Sequence, residues 1–147
     1  MKKSRKEKIK KAGYTALQWT WGLPQTAAGA VLYLKHRNDE HFSYRGATAT
    51  VWNSARGVSL GKFIFVPAKS SEFLIDHEYG HTIQSLILGP MYLFLVGAPS
   101  MAWNRLPYFA NKRKKTGRSY YSALFERTAN QLGAKVTGGK DSCRKTK

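Results

Sequence analysis

Charge is absent from two long stretches of this chain, 12–34 and 82–104, and the apolar pattern between and after them is easier to assign. Residues 42–52 and 58–66 are rich in β-branched and aromatic side chains. They are separated by the turn-forming run 53–57, which predicts a β-hairpin. From Ser70 onward the pattern turns helical. Ser70 and Ser71 offer N-cap oxygens, and Glu72 suits a first turn. Phe73, Leu74, Ile75, Ile83, Leu86, Ile87 and Leu88 make the segment apolar enough to be buried, and Gly89-Pro90 stops it. This predicts a helix of about 18 residues. A second helix is expected over 120–133, with Tyr121, Phe125, Ala129 and Leu132 along one side and Gly133 as its cap.

Each uncharged stretch runs for about 23 residues, enough to cross a bilayer if helical. Both are broken, however: Gly22-Leu23-Pro24 interrupts the first, and Gly89-Pro90 and Gly97-Ala98-Pro99 interrupt the second. The first reads better as two short helices, 14–21 and 24–35, with Pro24 tolerated in a first turn. Its diluted apolar run and long basic leader also make a poor cleavable signal peptide. The second reads as core or as a shallow hairpin that returns to the side it left. Trp19, Trp21, Tyr92, Trp103 and Tyr108 would suit a membrane interface or an ordinary aromatic core. A peripheral position at the cytoplasmic membrane face, or a cytoplasmic one, is therefore expected before a spanning one.

The length of 147 residues predicts one domain over 12–138, flanked by basic tails at 1–11 and 139–147. Lys and Arg number 25 against 8 Asp and Glu, a formal charge of +17. Much of it sits in the runs 2–11, 112–118 and 140–147, which attract polyanions such as lipid head groups. Nucleic acid is disfavoured, since the chain has no zinc-finger spacing, RNA-recognition motif or glycine-rich phosphate loop. A single cysteine, Cys143, excludes an intrachain disulfide framework.

Against this background one pentapeptide carries chemistry: His77-Glu78-Tyr79-Gly80-His81. Two imidazoles four apart on a helix lie about 40° apart around the axis, so both can reach one ion. Zn²⁺ accepts neutral imidazole nitrogens and acidifies a bound water. Glu78 flanks that pair, where a general base must stand to take the water's proton.

A third donor has to come from elsewhere, and the only acidic residues after Glu78 are Glu126 and Asp141. Glu126 and Asn130 are i,i+4 neighbours on the second helix. A carboxylate ligand followed by an amide that accepts an imidazole N–H is one reading of them. A solvated Glu–Arg face is the other. Tyr120, Tyr121, His36 and His41 are candidate donors to an oxyanion, with nothing to choose among them.

His77-Glu78-x-x-His81, followed by Glu126-Arg127-Thr128-Ala129-Asn130-Gln131-Leu132-Gly133-Ala134, resembles the gluzincin zinc metallopeptidases. The likeness is greatest to the membrane-linked branch that contains the CAAX-prenyl and heat-shock-induced proteases. Ser59-Leu60-Gly61-Lys62-Phe63-Ile64-Phe65, Gln84-Ser85 and Gly89-Pro90-Met91-Tyr92-Leu93 are similar to small bacterial relatives of that group. The resemblance implies an α+β, zincin-like domain, with a β-hairpin or small antiparallel sheet against an active-site helix and a second ligand-bearing helix. It implies His77, His81 and Glu126 around one Zn²⁺, Glu78 as general base, and a peptide or protein substrate. It further implies an edge strand, Ser59, Leu60, Gly61 and Phe63, that binds peptide in extended form. Asn130 departs from the group's usual Asp. An inactive relative, or a polyanion-binding protein for membrane or nucleic acid, is the alternative expectation.

Overall fold

The computed structural model describes residues 2–138, with side chains from Ser4 onward. The tail 139–147, with Cys143, lies outside the described residues. Two helices come first, α1 (Lys2–Thr20) and α2 (Leu23–Lys35). Pro24 sits in the first turn of α2, where a missing N–H leaves no bond unmade. The basic run expected as a separate tail is instead the first half of α1. Lys, Arg, Glu and Ala are good helix formers, and no Gly or Pro interrupts them before Gly13.

The sheet contains β1 (Glu40–Tyr44), β2 (Ala47–Trp52), β3 (Val58–Leu60) and β4 (Phe63–Pro67), in the order β1-β2-β4-β3. Where one hairpin is expected from sequence there are two. β1 pairs antiparallel with β2, and β3 antiparallel with β4. The central pair, β2 with β4, is parallel, so the sheet is mixed. The run 42–52 splits because Arg45 and Gly46 both take positive φ, 51° and 101°, which closes a two-residue turn between its halves. Gly61, at φ 58°, turns β3 into β4.

Helix α3 (Glu72–Leu88) starts on Ser71, whose hydroxyl accepts the Leu74 N–H, and ends at Gly89. Every residue from His77 to Thr82 is buried. Such a helix is enclosed on all sides, here by the sheet, by α1 and by the last helix. Tyr14, Ala47, Ala49, Ile64, Val66 and Tyr79 form the apolar core between them.

The second uncharged stretch does not continue as one helix. A 3-10 turn (Gly89–Met91) and a π-helical turn (Leu93–Gly97) lead into α4 (Ala98–Arg105), then α5 (Pro107–Thr116). No helix among the described residues is long and apolar enough to cross a membrane. After a 3-10 turn (Tyr120–Ser122), α6 (Leu124–Thr137) closes the fold. It begins later than expected and runs through Gly133 to a left-handed cap at Gly138. Its buried face is Glu126, Ala129, Asn130 and Gly133, spaced i, i+3, i+4, i+7. Tyr121, Phe125 and Leu132, expected along its inner side, are only half-buried.

Gly133 is needed inside α6 because the helices touch there. A Cβ at position 133 would overlap the Asp76 carbonyl, and one at Gly80 would overlap the Ala129 carbonyl. Two glycines, one on each helix, thus bring α3 and α6 into main-chain contact. That contact sets the site.

Candidate metal centre

The α3–α6 crossing brings together the residues that sequence spacing singles out. Glu126 Oε2 lies 3.1 Å from His77 Nε2 and 3.5 Å from His81 Nε2. All three side chains are buried, and one donor atom from each falls within 4.8 Å of the others. The two imidazole rings stand nearly perpendicular, with centroids 4.7 Å apart.

Each donor is held from behind. His77 Nδ1–H donates to Asn130 Oδ1 at 2.6 Å, which leaves Nε2 as the lone-pair nitrogen facing Glu126. His81 Nδ1–H donates to Gln84 Oε1 at 2.7 Å. The Gln84 amide nitrogen in turn donates to Phe125 O at 2.8 Å and Thr128 Oγ1 at 2.7 Å, tying α3 to α6. The Ser100 hydroxyl, from α4, donates to Glu126 Oε1. The other carboxylate oxygen, Oε2, is buried and completes no hydrogen bond. Two oriented imidazoles and one buried, incompletely bonded carboxylate oxygen are a donor set that fits a divalent cation.

Electrostatics agree with this arrangement. Burial favours a neutral Glu126, but the imidazoles of His77 and His81 in front of it outweigh that and hold it well below the usual carboxylate range. Burial likewise favours neutral His81, yet the Glu126 carboxylate, the Glu78 charge and Gln84 together raise it above an ordinary histidine. A cation bound between these groups would neutralise the same carboxylate charge.

Glu78 stands on the neighbouring face of α3, at a cleft of about 410 Å³ that His81 also lines. The Ser59 hydroxyl donates to Glu78, 2.6 Å from carboxylate Oε2 and 2.8 Å from the main-chain oxygen. Gly57 lies directly against the carboxylate, and a Cβ there would overlap Oε1. Val58, Ser59 and Leu60, all of edge strand β3, form one wall of the cleft.

The structure sorts the remaining candidates. Tyr120 lines the cleft, whereas Tyr121 packs edge-on against His77, with centroids 5.1 Å apart. His41 is remote, since its Nδ1 pairs with Thr50 Oγ1 at 3.0 Å and its ring lies against Tyr33 of α2. His36 is likewise away from the site, paired with Asp39. Ser59 and Leu60 belong to the edge strand as expected. Gly61 is the turn after it, and Phe63 is buried on β4, a strand paired with a neighbour on both sides. Phe63 therefore cannot present its main chain to a peptide.

Three contributors have no part in the site as the sequence is read: Gln84, Ser100 and Tyr92. Only Gln84 left a signal there, lying three residues after His81 on the same helix. Tyr92 is buried in the cleft wall. Burial first, then the Glu78 and Glu126 carboxylates, push its phenol upward. Burial and Glu126 do the same to Tyr120. Both therefore remain protonated donors. The chain matches no family model, no curated protein and no solved structure. What can be said of the site rests on its own residues.

Proposed function

We propose that this chain is a zinc-dependent metalloendopeptidase of the gluzincin kind, with His77, His81 and Glu126 as metal ligands and Glu78 as general base. One observation carries the reading: three buried donors from two helices converge on one point, and a carboxylate beside them opens into a cleft. Zinc bound there would supply a Lewis acid that acidifies water and polarises a carbonyl. The described part of the chain offers no cysteine for a closed structural site, which favours an open, catalytic one.

The chain's own groups then divide the work. Glu78 takes the proton of the attacking water and passes it to the leaving amine. Ser59 holds Glu78 by a hydrogen bond to Oε2, so the base keeps one orientation. Tyr120 and Tyr92 are the donors available to a carbonyl oxygen that takes up negative charge. The edge strand Val58–Leu60 offers main-chain groups to an extended peptide. Apolar neighbours such as Leu60, Leu93 and Met101 would receive an apolar side chain.

The test pairs zinc content with hydrolysis of a quenched peptide library. The zinc-loaded chain should cleave and a chelator should stop it. Glu78→Gln should keep zinc and lose hydrolysis by a factor of about 10²–10⁴. Hydrolysis retained in that variant refutes the base assignment. A wild-type chain that holds zinc and cleaves nothing leaves the inactive, binding-only alternative.

A further inference from the structure

The second half of α1, α2 and the end of α3 bury polar side chains and turn apolar ones outward. In α2 the polar residues Gln25 and Thr26 are fully buried, while Leu23, Ala27, Val31 and Leu34 form an exposed apolar stripe. In the second half of α1, Gln18 is fully buried, and Leu17 and Trp19 face outward. After His81, Thr82 and Ser85 of α3 point in and Ile87 points out; in the segment that follows, Tyr92 and Val96 are buried while Met91, Phe94, Leu95 and Met101 stay exposed. The buried polar groups bond to one another across the helices. Gln18 donates to Thr82 O at 3.0 Å, and Gln25 donates to Ser85 Oγ at 2.8 Å and Gly89 O at 3.0 Å.

Water would favour the opposite arrangement, with amides outside and leucines inside. A polar, hydrogen-bonded interior under an apolar exterior is the arrangement that hydrocarbon favours. The two outer faces adjoin, because Trp21 at the α1–α2 corner lies against Gly89. Phe94 and Met101 belong to this surface and also to the cleft beside Glu78.

We propose that this face docks on an anionic lipid bilayer, entering one leaflet without crossing it. No described helix is long and apolar enough to cross, and the α1–α2 corner and the 3-10 and π turns break the apolar segments into short pieces. Charge selects the lipid. Exposed cations adjoin the apolar segments: Lys6, Lys8, Lys10 and Lys11 before the apolar half of α1, Lys35 and Arg37 after α2, Arg105 after α4. Anionic head groups complement them, and Trp19 and Trp21 suit the interfacial zone. This inference stands independently of peptidase activity.

Flotation of the full chain with phosphatidylcholine–phosphatidylglycerol vesicles, and with phosphatidylcholine alone, tests it. Wild type should float with the anionic vesicles, and less as salt rises. Val31→Glu/Leu34→Glu changes two exposed side chains of α2 and should weaken partitioning about a hundredfold with unchanged thermal melting. Vesicles with brominated acyl chains should quench the wild-type tryptophan fluorescence, a readout that needs no variant. Three results would overturn the proposal. In one, wild type ignores anionic vesicles. In another, their brominated chains leave its fluorescence unquenched. In the third, wild type is a dimer that the double variant splits, so that a second copy covers this face.

Discussion

Gly80 is one of two points where α3 and α6 meet main chain to main chain, so one methyl group added there probes the geometry of the site. A Cβ at position 80 would overlap the Ala129 carbonyl, and ordinary contact begins only at 3.4 Å. Main chain cannot swing aside as a side chain can. α6 must therefore move from α3 by about an ångström or more. Glu126 lies one turn before Ala129 on the moving helix. Metal–ligand distances tolerate only about 0.2 Å, so Gly80→Ala should pull the carboxylate out of reach of an ion held by His77 and His81. The overlap costs about 1–3 kcal/mol, offset by about 1 kcal/mol of better helix propensity, so the chain should still fold. Zinc affinity should fall by at least about tenfold to a hundredfold, the range seen when ligands lose their supporting contacts. Competition against a chromophoric chelator measures the affinity, and circular dichroism measures the melting. Gly13→Ala, with nothing within 4 Å of the added carbon, is the control. Wild-type zinc affinity in Gly80→Ala would refute a main-chain crossing at this point.

Gln84→Leu removes the acceptor for His81 Nδ1–H and leaves Phe125 O and Thr128 Oγ1 without its amide. Zinc affinity should fall about 10–100-fold and stability by about 1–3 kcal/mol, read by the same chelator competition and by denaturant melts. Gly57→Ala drives a methyl into the Glu78 carboxylate. Zinc content should hold while peptide turnover drops about tenfold or more, and equal turnover would mean that Glu78 needs no fixed place. Because the metal-free site raises His81, zinc must displace a proton from it. Affinity should climb as pH rises through the folded value of His81, which lies above that of an ordinary histidine, and then flatten as proton release fades. Calorimetry in buffers of different ionisation enthalpy reads this directly, and an affinity flat over that window would contradict the coupling.

The elements set by local chemistry were legible in the sequence. Ser71 and Gly89 bound α3 as their cap preferences demand, and Pro24 opens α2. The His77–His81 spacing and the Glu126–Asn130 pair were legible too, because helical phase alone places each pair on one face. What local pattern could not supply was anything set by a distant partner. Gly133 looks like a cap in sequence, and only the Asp76 carbonyl packed against it explains a glycine inside α6. The sheet order depends on which strands meet, so the parallel β2–β4 pair had no local signature. Ser100 sits in an uncharged stretch that looked like membrane or core, and its contact with Glu126 spans 26 residues. The inward-facing glutamines of α1 and α2 read as mere dilution of an apolar run. Burial turned them into the polar centre of a helix cluster.

X-ray absorption at the zinc edge, on the full chain loaded with one equivalent and dialysed, measures the coordination shell itself. It should show two imidazole nitrogens at about 2.0–2.1 Å and carboxylate oxygen, with no sulfur. The imidazole signal should vanish from His77→Ala/His81→Ala, and the shell should change in Glu126→Ala. A sulfur neighbour, a shell indifferent to these substitutions, or a chain that returns from dialysis without zinc would contradict a centre built where α3 and α6 cross.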